Sequence, residues 1–408
     1  MAKSRALALQ LSSNMKNKII VSAALAALLF SAAPVSAQDS DGVQLGGQLR
    51  FRTADTAPEI GATTTSYTGR MRLNMATEVD SATKVFVELQ TGGGISSDLG
   101  ELDLHQGYMT ISGFAGGMFD VKAGRMELSY GNQRMLSALD WNDAGRAWDG
   151  LVFQHATADH TLDVIYSKPV QNQMAGVGTY FGGTPTTYDM SSSVDVLGEM
   201  GSLPSAAAYN LAGLYYQRAI SGWDTDVYLF NRVDGDRDDL TLGALVEGNV
   251  SGVGLSGEFA MQSGDATSAI EADGTAMALN ASYALGGGMN VGVAYESSDS
   301  FQTIADFSHA YHGHMDLFQW SSADSGLTDI VLKGSMPIDD VWKWYGNFHM
   351  FTDTLSGDAL GNELDLGIKG NFSDSVGFWG GYSMFMDDYA EDEALESSWL
   401  FAQIVVNF

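Results

Sequence analysis

The sequence predicts an all-β protein, a transmembrane antiparallel β-barrel of sixteen to eighteen strands with short turns at one end and long loops at the other. Three observations predict it. Apolar and polar residues alternate with period two along most of the chain, the links between such segments alternate between short and long, and the last strand ends in phenylalanine. A strand set between lipid and water needs the first, and a barrel threaded up and down through a bilayer gives the second.

The alternating segments fall at 42–54, 65–79, 82–92, 101–113, 117–126, 148–156, 160–168, 207–219 and 222–232. They continue at 240–250, 253–263, 274–285, 288–297, 325–335, 341–350, 362–372, 375–385 and 396–408. In the first, Val43, Leu45, Leu49 and Phe51 oppose Gln44, Gln48, Arg50 and Arg52; in the second, Tyr67, Met71, Leu73 and Met75 oppose Arg70, Arg72 and Asn74. Late in the chain Leu364, Leu366 and Ile368 oppose Glu363, Asp365 and Lys369. Short links are expected near 80–81, 114–116, 157–159, 220–221, 251–252, 286–287, 336–340 and 373–374. Long ones are expected near 55–64, 93–100, 127–147, 169–206, 233–239, 264–273, 298–324, 351–361 and 386–395. Aromatic girdles belong at both interfaces of such a barrel, and Trp223, Tyr382 and Trp399 are candidates.

Both ends of the chain carry export signals. Lys16 and Lys18 precede an apolar run from Ile19 to Phe30, and Val35-Ser36-Ala37 closes it with small residues, so 1–37 reads as a cleaved signal peptide and 38–408 as one barrel domain. The run is too short to span a bilayer, which takes about 20 residues. At the other end Leu400, Ala402, Ile404, Val406 and Phe408 share one face, a pattern that resembles the signal read by the outer-membrane barrel-assembly machinery. Residence in the bacterial outer membrane follows, in contact with lipid and lipopolysaccharide, with both termini periplasmic.

Composition excludes several functions. There are 20 Lys and Arg against 50 Asp and Glu; the four basic residues before Ala37 leave with the signal segment, so the mature chain carries about −34. Nucleic acid, which needs basic surface, is not a partner. Cysteine is absent, which excludes disulfides and thiolate metal sites. No Gly-x-Ser-x-Gly or comparable nucleophile pattern occurs, and no nucleotide or energy-coupling motif, so neither enzyme activity nor a cofactor is implied.

Charge placement points to a pore. Seven of the ten arginines that follow the signal segment stand between Arg50 and Arg146. Arg50, Arg52, Arg70 and Arg72 project from two neighbouring strands on the polar face, because a cation facing hydrocarbon at mid-membrane costs about 2–4 kcal/mol. One reading is a cationic luminal strip that attracts anionic solutes. The other is a structural one, arginine paired with Glu78, Glu88 or Asp103 across the lumen.

The most distinctive stretch runs from Gly124-Arg125-Met126-Glu127 through Tyr130-Gly131, Arg134 and Asp140-Trp141-Asn142 to Gly145-Arg146-Ala147-Trp148-Asp149-Gly150. It resembles the core motif of the alginate-export family of outer-membrane barrels. Further matches follow in Leu104-His105-Gln106-Gly107-Tyr108, His312-Gly313-His314-Met315-Asp316 and Gly361-Asn362-Glu363-Leu364-Asp365-Leu366. The resemblance implies an eighteen-stranded barrel with a cationic conduit for an anionic polyuronate. It would set Arg125, Arg134 and Arg146 in or near a constriction, with Glu127, Asp140 and Asp149 as the acids that hold them. A loop carrying three arginines enters a pore only with its charges paired.

The chain departs from that pattern in its acidity: residues 147–408 hold 7 basic and 36 acidic residues. A general or cation-preferring porin therefore stays open as a reading. So does a plugged surface or adhesion barrel, with 169–206 as the candidate plug. His309, His312 and His314, near Asp306 and Asp316, are candidates for Zn²⁺, with a spacing that is not that of a known site; the acidic loop Asp234–Asp239 is a candidate for Ca²⁺, which needs several oxygens converging.

Overall fold

The structure, a computed structural model, describes residues 42–58, 62–95, 102–170, 209–267, 270–305, 307–318, 326–386 and 397–408. The expected signal segment, residues 171–206 of the proposed plug (169–206) and the acidic loop 387–396 lie outside these residues.

The first half of the wall is β1 (Val43–Pro58), β2 (Thr64–Glu78), β3 (Thr83–Gly94), β4 (Asp103–Gly113), β5 (Phe119–Met126), β6 (Trp148–Ala156), β7 (His160–Pro169), β8 (Asn210–Ile220) and β9 (Trp223–Asp234). The second half is β10 (Arg237–Val250), β11 (Val253–Thr267), β13 (Gly274–Ala284), β14 (Asn290–Asp299), β15 (Leu327–Pro337), β16 (Trp342–Asp353), β17 (Ala359–Ser373), β18 (Val376–Met386) and β19 (Ser397–Asn407). The two-residue β12 (Ile270–Glu271) only lengthens the β11 hairpin. Every neighbouring pair is antiparallel, and β19 pairs with β1 from Gln48 opposite Asn407 to Pro58 opposite Ser397. The sheet is thus a closed barrel of eighteen antiparallel strands, with no open edge to leave backbone groups unpaired in lipid.

The burial pattern is that of a soluble protein turned inside out. Leu45, Leu49, Leu73, Leu242 and Leu332 are exposed on the outer face, while Arg50, Arg52, Arg70, Glu296, Asp329 and Asp365 are buried inside. All eighteen expected segments are strands. Their short links lie at one end: Ser221-Gly222 and Ser251-Gly252 have positive φ at both positions, the two-residue turn that matches strand twist. At this end Trp342 packs edge-on to Phe372 and Phe378 on the outer face, an interfacial girdle. Trp223 joins it across Gly248, where a Cβ would stand 2.4 Å from the indole.

Two expectations are corrected. The link expected at 233–239 is a tight turn at Gly235–Asp236, because β9 and β10 run on to Asp234 and Arg237. Asp239 is then an inward strand residue held by Arg232 and Arg237, each at 2.8 Å, and not a ligand in an open calcium loop. Trp399 also faces inward, buried beside Phe401, with which it shares strand parity, and it is no girdle residue.

Candidate functional site

The lumen is crossed by two loops from the long-loop end. The first, residues 127–147, begins where β5 stops and carries Met135, Leu136 and Trp141, all buried. The second, residues 300–318, follows β14. They join by backbone hydrogen bonds: Ser137 N to Ala305 O (2.8 Å), Ala305 N to Met135 O (2.9 Å) and Phe307 N to Gln133 O (3.1 Å). Polar backbone at membrane depth is tolerated only where protein or a water-filled cavity surrounds it, and here each loop supplies partners for the other.

The arginines of β1 and β2 seize one end of the first loop. Arg50 donates to the carbonyls of Asp140 (2.8 Å) and Asn142 (2.6 Å), and Arg70 to the same two (2.8 and 3.1 Å). Arg52 donates to the Trp141 carbonyl (2.7 Å), and its guanidinium lies 3.6 Å over the Trp141 ring. Three consecutive carbonyls are thereby held by three guanidinium groups, charge-assisted hydrogen bonds of the stronger kind. Asp140 also pairs through its carboxylate with Arg70 (2.8 Å) and Arg72 (3.2 Å), and Asp143 with Arg50 (2.8 Å). Of the acids expected to balance this ladder, Glu88 lies 3.8 Å from Arg72, while Glu78 pairs with Lys84 instead.

The opposite end of the same loop reaches an acidic wall. Glu258 on β11, Glu296 on β14, Asp329 on β15 and both Glu363 and Asp365 on β17 are buried on the inner face. Arg134 forms a fork with Glu296, closest through Nη1 and at 2.8 Å through Nη2, and lies 3.7 Å from Glu258. The Tyr311 ring of the second loop covers its guanidinium at 3.6 Å. Burial opposes the Arg134 charge, but Glu296 outweighs it and lifts the pKa above the ordinary arginine value. The loop is therefore a strut, anionic groups toward the β1–β2 arginines and a cation toward the β11–β14 acids.

The remaining predicted residues fall in different places. Arg146 is buried inside, its amide donating to Ala138 O at 2.7 Å. Glu127 accepts from His105 (2.7 Å) and lies 3.3 Å from Arg72. Arg125 and Asp149 form a two-pronged pair (2.7 and 2.9 Å) on the outer face, with the parity of Ala123 and exposed Leu151, and do not join the luminal network.

The three loop histidines turn to different acids. His309 meets Asp316 at 2.9 Å, His312 lies 3.8 Å from Glu296 and Asp329, and His314 lies 3.8 Å from Asp365. Their nitrogens do not converge. Glu88, His105 and Glu127 are the one set of potential ligands that gathers within 4.8 Å among the described residues. Arg72 stands in their midst, 3.2 Å from His105 Nε2, so the chain's own cation neutralises that group. On the short-turn side of the strut a cavity of about 290 Å³ is lined by Lys122, Glu127, Tyr130, Gln154 and Asp163 among others. Lys122 there lies 4.0 Å over the Tyr108 ring.

The acidic wall was not singled out as a site in the sequence, because its members are spread over more than a hundred residues. The signal that finds them is parity: each is an acid on the inward side of an otherwise apolar alternation.

Comparisons with known proteins agree with this architecture. The family described as Alginate export matches residues 42–309. Among solved structures, Pseudomonas aeruginosa OccK11 (OpdR) superposes with a TM-score of 0.63 at 10% identity, covering 90% of this chain and 96% of that one. Pseudomonas aeruginosa OpdQ gives 0.64 at 12% identity over 91% and 99%, and Acinetobacter baumannii OccAB4 gives 0.61 at 10% over 90% and 99%. At such identities the likeness is one of fold. No curated protein matches the chain by sequence.

Proposed function

The chain belongs to the alginate-export family of outer-membrane channels, and from that premise we propose that it passes hydrophilic, anionic saccharides of the polyuronate class by passive diffusion. The family is one of channels, so passage and not catalysis is the activity. The observation that carries the substrate class is the cationic side of the lumen: Arg50, Arg52, Arg70 and Arg72 stand in register on the inner face of β1 and β2 and are buried there. In this reading the short-turn end, with both termini, faces the periplasm. Solutes pass beside the strut, where the field of the arginine side draws a polyanion and Arg134 and Arg146 fix the loop that narrows the path. Arg125 and Asp149 take no part in conduction and brace the outer rim.

A second reading has its own observation. The buried acids Glu258, Glu296, Asp329, Glu363 and Asp365 give the opposite wall a negative field, which favours a cation-preferring pore. The zero-current potential of the refolded mature barrel in a planar bilayer, under a salt gradient, separates the two. Anion preference with block by oligouronate supports the polyuronate channel. Cation preference without block overturns it, and no current at all favours a plugged surface barrel.

A further inference from the structure

We infer that Lys343 and Lys369, with the rings of Trp379 and Tyr345, form a uronate-binding subsite on the lumen wall at the short-turn side of the strut. This rests on the reading of the protein as a channel for anionic saccharides, and it names the residues that grip them.

Strand parity gives the placement. Trp344 and Ile368 are exposed on the outer face, so Lys343 and Tyr345 on β16 and Lys369 on β17 point inward. Lys343 and Lys369 are direct cross-strand partners, and the next residue along that row is Trp379 on β18. Like charges directly opposite one another in a sheet are destabilising unless a counter-charge answers them. Arg50, Arg52, Arg70, Arg72, Arg134, Arg232 and Arg237 on the inner side each have one. The two lysines do not: among the described residues no carboxylate forms an ion pair with either, and the charge that bears on Lys369 is that of Lys343. Two lysines directly opposite one another on the lumen wall supply the paired positive charge that a carboxylate takes.

The rings beside it define which anion. Trp379 donates its indole N–H to the Tyr345 hydroxyl at 2.6 Å, locking the two together. Behind it Trp379 packs edge-on against Trp141 (4.8 Å) and Phe401 (5.4 Å), so the platform is rigid. Tyr345 lies across Gly367 and Gly381; a Cβ on Gly367 would stand 2.3 Å from its hydroxyl, so only glycine leaves room for the ring. The Lys369 ammonium is 5.3 Å from the Tyr345 centroid and 5.8 Å from that of Trp379. Tyr345 is itself buried and supports the half-buried Trp379 ring; a pyranose ring carrying a carboxylate offers an apolar C–H face to that indole and a charge to the lysines at the same time, the combination of apolar lining and few polar groups that ligand sites use. A bare inorganic anion uses only the lysines.

The test is equilibrium binding of a uronate trisaccharide, and of a neutral trisaccharide of the same size, to the refolded full mature barrel. The barrels compared are wild type, K343Q/K369Q, K343Q/K369R and, as a control cation on the far wall, K122Q. The expected result is at least a tenfold loss of uronate affinity in K343Q/K369Q, a partial return with arginine at 369, no change in K122Q, and neutral-sugar binding that does not distinguish the barrels. Heat-shifted gel mobility confirms that each variant is folded. If wild type and K343Q/K369Q bind uronate equally, the subsite is overturned while the channel reading stands. If wild type binds no uronate, the substrate reading fails and takes the subsite with it.

Discussion

Trp141 and His309 stack face to face, ring centroids 3.9 Å apart and planes within 10°, although they come from the two different loops that cross the lumen. Arg52 covers the other face of Trp141, so one indole sits between the barrel wall and the second loop. That sandwich makes the two loops a single unit.

Replacing Trp141 with alanine therefore loosens their joint, leaving the backbone hydrogen bonds between Gln133–Ser137 and Ala305–Phe307. Deleting a buried tryptophan costs about 3–5 kcal/mol of packing, and here the loss falls on loop docking, because the eighteen-strand ladder does not depend on the ring. Single-channel conductance of W141A is expected to rise above that of wild type and to become noisier, with heat-shifted gel mobility unchanged. An unaltered conductance would show that the loops do not set the width of the path.

Arg134 is the second anchor of the strut. R134A leaves Glu296 and Glu258 buried without their cation, and breaking such a pair from one side costs about 3–5 kcal/mol. R134M together with E296Q removes the two charges of the fork and, with Glu258 still held by Asn132 and Tyr228 at 2.8 Å each, is expected to recover part of that loss. Limited proteolysis of residues 127–147 reads the difference: rapid cleavage in R134A, slower cleavage in the double variant and the slowest in wild type. Equal cleavage of all three would mean that the pair does not hold the loop.

The wall of this barrel was legible in the sequence because period two has one physical meaning at a lipid interface: Leu45, Leu49 and Phe51 turn outward while Arg50 and Arg52 turn inward. The β9–β10 hairpin was not, because Asp234 to Asp239 reads as a polar loop although two arginines draw Asp239 into the wall. Trp399 was missed for a related reason. The lumen here is packed with loop side chains, so its wall near Trp141 is aromatic, and an aromatic residue no longer marks the outer face. The Arg125–Asp149 pair shows the limit of a motif: adjacency to the loop suggests the lumen, and only parity with Ala123 and Leu151 sends it outside.

Chain closure offers a third test. Gly47 and Phe408 exchange backbone hydrogen bonds at 2.8 and 3.0 Å, and the Phe408 ring lies over Gly47, where a Cβ would stand 2.7 Å from it. G47V displaces the ring and also sets a Cβ 2.5 Å from the Arg72 carbonyl oxygen of β2, straining the seam while keeping the ring, whereas F408A removes the ring alone. If the terminal ring serves recognition by the assembly machinery, F408A lowers the yield of folded barrel in cells much more than G47V. F408A refolds in detergent with wild-type conductance. Equal yields would place the role of Phe408 in the folded seam and not in recognition.

Acidification should loosen the second loop, and His314 supplies the sign. Burial lowers its pKa from 6.5 to about 3, with Asp365 pulling in the opposite direction and His309, His349 and Lys369 adding to the depression. The docked loop keeps the imidazole neutral, and an undocked loop restores the ordinary value. Between pH 6.5 and about 3 the undocked state binds more protons, so docking is fully supported above that window and weakens as pH falls through it. The largest slope is about 1.4 kcal/mol per pH unit. Hydrogen exchange of residues 300–318 is expected to quicken, relative to the intrinsic rate, when the pH is taken from 7.5 to 4.5. H314F fills the same space without a titrating group and should flatten that response. If H314F and wild type share one pH profile, the dependence belongs to the neighbouring acids and histidines, and His314 is only a packing residue.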